Sequence, residues 1–421
     1  MNRVSQSVMK AWIGLGSRFL PFADAATPDV PLSRLLRLSL FQVSVGMSLV
    51  LLVGTLNRVM IVELGVPASL VAVMLAVPLV FAPFRALIGF KSDNHRSALG
   101  WKRVPFVYKG TMVQFGGLAI MPFALLVLAR QGNAADVPAW VGQIAAGIAF
   151  LLVGAGIHIT QTAGLALATD LTPVENQPKV VGLMYVMLLM GSIVSALIFG
   201  ALLADFTPGR LVQVIQGSAV VTLVLNGIAV WKQEARSSAN KRRDNLPDPS
   251  FQESWACFTE GGQAVHRLVA VGLGTLAFSM QDVMLEPYGG QILGLAVSDT
   301  TKLTAAMAGG GLVGFSLASY ILGRGYDPFR MACYGAMAGI PAFLLVMAAA
   351  PLDSPLLFGL GILLIGFGGG LFGHGTLTAT MNFAPADQRG LALGAWGAVQ
   401  ATANGLAMAF GGGLRDVVSG F

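Results

Sequence analysis

Eleven long apolar runs punctuate this 421-residue chain, near 39–62, 68–90, 104–129, 139–168, 180–204, 211–231, 267–290, 302–323, 331–350, 356–381 and 390–413. A helix rises about 1.5 Å per residue, so each run can cross roughly 30 Å of hydrocarbon. No water reaches peptide groups inside a bilayer, which leaves helices and closed barrels as spanning structures. Barrel strands are shorter and alternate in polarity; these runs do neither, so an all-α polytopic membrane protein is expected. Charged residues make up 11% of the chain, against about 25% in soluble domains. That balance excludes a soluble enzyme, and the apolar content excludes a disordered scaffold. The 53 glycines suit helices packed closely in lipid, where small residues let backbones approach. Cys257 and Cys333 provide neither a disulfide framework nor a metal cluster, and the N-terminus does not read as a cleavable leader.

Lysine and arginine set the orientation. With the N-terminus inside, the inner segments hold 20 of them and the outer loops 3. The net charge of +6 is therefore a topology signal and a contact with lipid headgroups, not a nucleic-acid patch. Residues 1–38 read as a cytoplasmic segment, in which Val8, Met9, Trp12, Ile13 and Phe19 suit either an interfacial amphipathic helix or a frayed tail. Residues 39–231 make a six-helix half, 232–266 a polar cytoplasmic linker, and 267–421 a second half with five helices.

The halves repeat. Gly89-x3-Asp93-x2-Arg96 after the second span is matched by Gly323-x3-Asp327-x2-Arg330, and Gly154, Gly156, Leu165, Pro173 and Gly182 are matched by Gly366, Gly368, Leu377, Pro385 and Gly394. Six helices repeated in one orientation resemble the parallel repeat of the major facilitator superfamily. The Gly-x3-Asp-x2-Arg motif falls where that superfamily carries its loop signature. Phe421 corresponds in the repeat to Gly209, just before the sixth span, so eleven spans are expected rather than twelve, with the last helix missing.

Three stretches go further. Leu56-Asn57-Arg58-Val59-Met60-Ile61-Val62-Glu63-Leu64-Gly65-Val66-Pro67 closes the first span, Arg85-Ala86-Leu87-Ile88-Gly89-Phe90-Lys91-Ser92-Asp93 leads on to Gly100-Trp101-Lys102-Arg103-Val104-Pro105-Phe106, and the seventh span carries Phe278-Ser279-Met280-Gln281-Asp282-Val283-Met284-Leu285-Glu286-Pro287-Tyr288-Gly289-Gly290-Gln291. From about Leu20 to Leu414 the chain resembles the PucC/LhaA family, the bacteriochlorophyll-delivery branch of the superfamily. The resemblance implies a factor that handles bacteriochlorophyll or a precursor. Its partners would be light-harvesting or reaction-centre subunits or pigment-synthesis enzymes. It would sit in the cytoplasmic or intracytoplasmic photosynthetic membrane of a phototrophic bacterium.

Ionisable groups inside a bilayer are costly, about 2.5–3.5 kcal/mol each on insertion scales, and need a reason. Arg58 lies near the outer end of the first span, and Asp282 and Glu286 lie on one face of the seventh. Aligning Val59-Met60 with Val283-Met284 makes Arg58 and Asp282 equivalent in the repeat. A buried Arg58–Asp282 pair is expected, either as a gate lock or polar-substituent site or as a structural pair. Arg85 reads as snorkelling to headgroups. By resemblance to the superfamily, Asp93 faces the start of the eleventh span, where the helix dipole favours an anion; the alternative is a solvated loop. His158, with Gln161 beside it, and His374, set among glycines, lie within spans. Either imidazole could ligate the magnesium of a chlorin, with glycines leaving room for the macrocycle, or could be a structural histidine bonded to a neighbouring helix. The glycines give His374 the edge.

No catalytic constellation appears. Asp244-x3-Asp248 has the spacing of a prenyltransferase motif, but it lies in the polar linker, broken by Pro247. Pigment delivery is the leading expectation. An alternating-access transporter of a small amphipathic solute and a subunit of bacteriochlorophyll synthase are the alternatives.

Overall fold

The computed structural model describes residues 22, 26–27, 30–81, 85, 88, 92, 100–129, 136–173, 176–234, 256, 260, 263–383 and 389–419. Gly89, Asp93 and Arg96 of the first loop signature, Asp244 and Asp248 of the linker, and the amphipathic stretch before Phe19 lie outside the described residues. All regular structure among the described residues is helical.

Among the described residues, eight helices are long and apolar enough to cross a membrane: α1 (Leu32–Glu63), α3 (Val104–Leu128), α4 (Ala139–Asp170), α5 (Gln177–Leu202), α6 (Pro208–Val230), α8 (Val297–Leu322), α9 (Pro328–Ala349) and α10 (Pro355–Phe383). The other three expected spans are helical but fall short of that length or apolarity among the described residues. The second, α2 (Ala68–Leu79), tightens into a 3-10 turn over Val77–Phe81. The seventh is split into α7a (Gln263–Ser279) and α7b (Leu285–Gln291). The eleventh, α11 (Arg389–Ser419), carries Gln400, Thr402 and Asn404, which make it the least apolar.

Lipid-facing and packed faces separate cleanly. On α4, Trp140, Ile144 and Ile148 are exposed, while Gly142, Ala146, Ala149, Phe150 and Val153 are buried. The exposed residues recur every fourth position, which places one apolar stripe outward and a small-residue stripe inward.

The glycines of the repeat make equivalent crossings. A Cβ on Gly154 would strike Pro78 of α2, and one on Gly366 would strike the Met307 carbonyl of α8. Two residues on, a Cβ on Gly156 would meet Gln114 of α3, and one on Gly368 would lie 2.7 Å from the Gly335 carbonyl of α9. Thus α4 bears on α2 and α3 as α10 bears on α8 and α9. Between the halves, α5 packs on α8 and α2 on α11. At the second of these crossings Asp416 accepts hydrogen bonds from the amides of Ala68 (3.1 Å) and Ser69 (2.7 Å), capping α2. At the other end of the bundle, Glu234 accepts from the amides of Lys102, Arg103 and Val104, at 2.5–3.2 Å, and caps α3. There Arg103 donates to Asp170 (2.9 Å) and Ser92 (2.5 Å).

Because the α8–α10 crossing is backbone against backbone, Gly366→Ala should destabilise the protein by about 1–3 kcal/mol, the usual cost of overpacking. Gly217→Ala, with open space around its Cβ, should be near neutral. Thermal unfolding in detergent of the two variants against the parent checks this.

Candidate functional site

The organising feature of the site is the break in α7. Proline cannot donate a backbone hydrogen bond, and its ring collides with the carbonyl four residues back. Pro287 therefore denies the Val283 carbonyl its helical partner, and residues 280–284 turn instead of continuing the helix. A free carbonyl at membrane depth must be satisfied by another element. Asn57 of α1 does this: its Nδ2 donates to the carbonyls of Val283 (3.3 Å) and Asp282 (3.4 Å). Asn57 is fully buried.

The expected Arg58–Asp282 pair is not formed. Arg58 pairs with Glu63 and donates to the Leu295 carbonyl at 3.1 Å. Two backbone features redirect the charges. Residues Val59–Glu63 form a π-helical turn, whose wider pitch brings residues five apart onto one face, so Glu63 overlies Arg58. Asp282, meanwhile, lies in the non-helical turn at 280–284. Asp282 instead accepts from Gln281 Nε2 (2.5 Å). The other carboxylate of the seventh span, Glu286, accepts from the Thr304 hydroxyl of α8. Gly290 admits the guanidinium of Arg58 against α7b, for a Cβ there would lie 3.2 Å from Nε.

Between the halves lies a cavity of about 480 Å³, within the roughly 300–1,000 Å³ range of small-molecule sites. Its walls come from α1, α2, α4, α5, α7a, α8, α10 and α11 and are largely apolar, with Leu188, Met307, Ile365 and Met408 among them. The polar groups on the wall are few: His158, Tyr185, Gln281, Asp282, Gln400 and Asn404 chief among them. Nδ1 of His158 is buried with no hydrogen-bond partner.

The other candidates are placed differently. Gln161 is turned away into a polar cluster: it accepts from Arg85 Nη2 (2.8 Å) and donates to Gln42 (3.2 Å). Arg85 also donates to Thr162 (3.2 Å), so it is bound to α4 rather than extended to headgroups. His374 lies beyond the cavity wall, its ring 4.3 Å from that of Phe315 and 5.5 Å from that of Phe22. Phe22 also fills the space over Gly182. The glycines around His374 serve two purposes. Gly366 and Gly370 bear on the backbone of α8, whereas Gly369 and Gly373 face the cavity, with open space at Gly373. In the second loop signature Asp327 is the N-cap of α9, accepting from Phe329 N (2.7 Å) and Arg330 N (3.4 Å); Gly323 ends α8, and Arg330 is exposed. Asn57, Glu63 and Phe22 were not among the sequence candidates. Pro287 was the visible signal for Asn57, because a proline in a spanning helix requires a donor nearby.

The PUCC protein family model matches residues 55–421. The chain belongs to the PucC family. It is 61% identical to protein PucC of Rhodovulum sulfidophilum over 99% of this chain and 92% of that protein. It is 28% identical to the bacteriochlorophyll synthase 44.5 kDa chain of Rhodobacter capsulatus over 91% of this chain and 88% of that one. Among solved structures it is similar to a bacterial homologue of the human lysosomal transporter Spinster in an inward-facing, unoccupied conformation, with a TM-score of 0.66, 15% identity, and coverage of 92% of this chain and 83% of that one. The PucC-family chain thus has the major facilitator fold and is a multi-pass membrane protein.

Arg58 is buried and Glu63 is partly exposed, so truncating Glu63 leaves a poorly solvated guanidinium and should cost about 1–3 kcal/mol. The exchange Arg58→Glu with Glu63→Arg should recover much of the loss in thermal stability. The exchange Arg58→Asp with Asp282→Arg should recover none. Unfolding midpoints of the singles and both doubles decide between the pairings.

Proposed function

We propose that this protein binds bacteriochlorophyll or a close precursor in the central cavity and hands it on to pigment-protein assembly or to a pigment-synthesis enzyme. The reading is supported by family membership, by the similarity to a chain named for bacteriochlorophyll synthase, and by the chemistry of the cavity. The observation that carries it is the place of His158, whose imidazole lines the apolar chamber, whereas His374, whose Nδ1 is likewise buried without a hydrogen-bond partner, does not. A neutral imidazole supplies the lone pair that magnesium in a chlorin takes as an axial ligand. The open space at Gly373 and Gly369 across the chamber accepts the face of a macrocycle, and Gln400, Asn404 and Tyr185 are placed for its polar substituents.

The protein's part in this chemistry is binding and orientation rather than bond-making. A major facilitator scaffold opens its central cavity alternately to either side by rocking its halves, and the α2–α11 and α5–α8 contacts are the surfaces along which they move. In the orientation set by lysine and arginine, the Arg58–Glu63 end is outward and the Arg103–Asp170 end cytoplasmic. The release partners are then light-harvesting or reaction-centre subunits or synthesis enzymes within the photosynthetic membrane. Transport of a small amphipathic solute is the second reading, favoured by the structural similarity to a transporter.

Replacing His158 with Phe should lower the pigment-to-protein ratio of protein purified from a pigment-producing host by about tenfold or more, on the scale of losses in metal-ligand affinity. His374→Phe should leave the ratio unchanged and lower thermal stability, because His374 packs among Phe315 and Phe22 rather than facing the cavity. Absorption of the purified variants, normalised to protein, checks both. A colourless parent protein would favour the solute transporter.

A further inference from the structure

A second, much smaller cavity of about 30 Å³ lies beside the α7 break, lined by Gly54 of α1, Gln281, Asp282, Glu286 and Thr304. Its polar lining is made of oxygen acceptors with their donors already spent. Gln281 Nε2 donates to the Phe278 carbonyl (3.0 Å) and to Asp282 (2.5 Å), which leaves Gln281 Oε1 buried without a partner. Thr304 donates to Glu286 Oε1, which leaves Glu286 Oε2 buried without a partner. Gln281 and Glu286 are 7% and 9% exposed, so bulk water does not satisfy these oxygens. The nearest cationic side chain, Arg58, is committed to Glu63 and the Leu295 carbonyl.

Two carboxylates and an orphaned amide oxygen at membrane depth require a positive counterpart. An all-oxygen donor set selects a hard cation. Magnesium is a poor match, because it demands near-ideal octahedral geometry and gives up its waters reluctantly. Calcium takes about six to eight oxygens, more than this lining presents. A proton on Glu286 would leave Gln281 Oε1 still unpartnered. Broken helices in transporters supply sites of this kind, where unwound segments coordinate small ions.

We propose that this cavity binds one dehydrated monovalent cation of sodium size, held by the Asp282 and Glu286 carboxylates, Gln281 Oε1 and Thr304 Oγ1. Gly54 makes the site possible: a Cβ there would lie 2.9 Å from Thr304 Oγ1 and 3.4 Å from Glu286 Oε1, displacing both ligands. Asp282 and Gln281 also line the large central cavity, so cation occupancy sets the charge on that wall. The proposal does not depend on what the large cavity carries.

The test uses full-length protein in detergent without pigment, with sodium chloride exchanged for choline chloride at constant ionic strength and pH. Sodium should raise the unfolding midpoint saturably, as expected for a ligand that binds only the folded state. Glu286→Gln, which keeps an oxygen for Thr304, should abolish the sodium-dependent rise, and Gln281→Leu should reduce it. Radioactive sodium binding to the parent, displaced by unlabelled sodium, gives a readout independent of variant folding. Equal midpoints in sodium and choline, or a sodium shift undiminished in Glu286→Gln, would overturn the proposal. So would a midpoint that rises on acidification alone with no response to sodium, which would mean that protons neutralise the carboxylates.

Discussion

A peptide carbonyl with no donor at membrane depth costs several kcal/mol, and this constraint organises the centre of the protein. Pro287 creates such a carbonyl at Val283, and the Asn57 side chain of the opposite half satisfies it. That contact fixes the height at which α1 crosses α7 and ties the two halves together near one end of the bundle. The turn it stabilises holds Gln281 and Asp282 where they line both cavities.

The π-helical segments of α1 act in the same region. Val50–Leu56 and Val59–Glu63 widen the helix beside the break, and such bulges concentrate at functional positions because they reposition side chains at small cost. Here one bulge brings Glu63 over Arg58, and the other carries Gly54 up to Thr304 and Glu286. The two irregular helices therefore complete each other. Charge is neutralised locally on α1, which leaves the carboxylates of the seventh span to their own cavity. Beside the large cavity, Phe315 packs against His374, Phe22 and Tyr185, and Tyr185 meets Trp396 edge to face.

Much of the scaffold was legible in the sequence. Run length and the exclusion of barrel strands gave the all-helical membrane fold, with eight of the expected spans long and apolar enough to cross a membrane among the described residues, and the paired glycines at 154 and 366, and at 156 and 368, mark equivalent crossings of the two halves. Close approach leaves a trace because only glycine permits it. The site was less legible. The Arg58–Asp282 pair was inferred from equivalent positions in the repeat, and that equivalence fails where one helix is broken near Pro287 and the other is π-wound. His374 was a pigment-ligand candidate from its flanking glycines, and Gln161 one from its place beside His158, but helix rotation turned Gln161 toward Arg85 and His374 toward Phe315. Rotation is set by neighbours distant in sequence, and these helices are apolar on all sides, so no hydrophobic stripe reveals it.

The central claim is that the large cavity is a pigment site with His158 on its wall. A cryo-electron microscopy structure of the protein purified from a pigment-producing host tests it most directly. The account predicts macrocycle density between α4 and α10, with its metal centre facing the imidazole of His158. Pigment density confined to the lipid-facing surface, with the central cavity holding none, would contradict it.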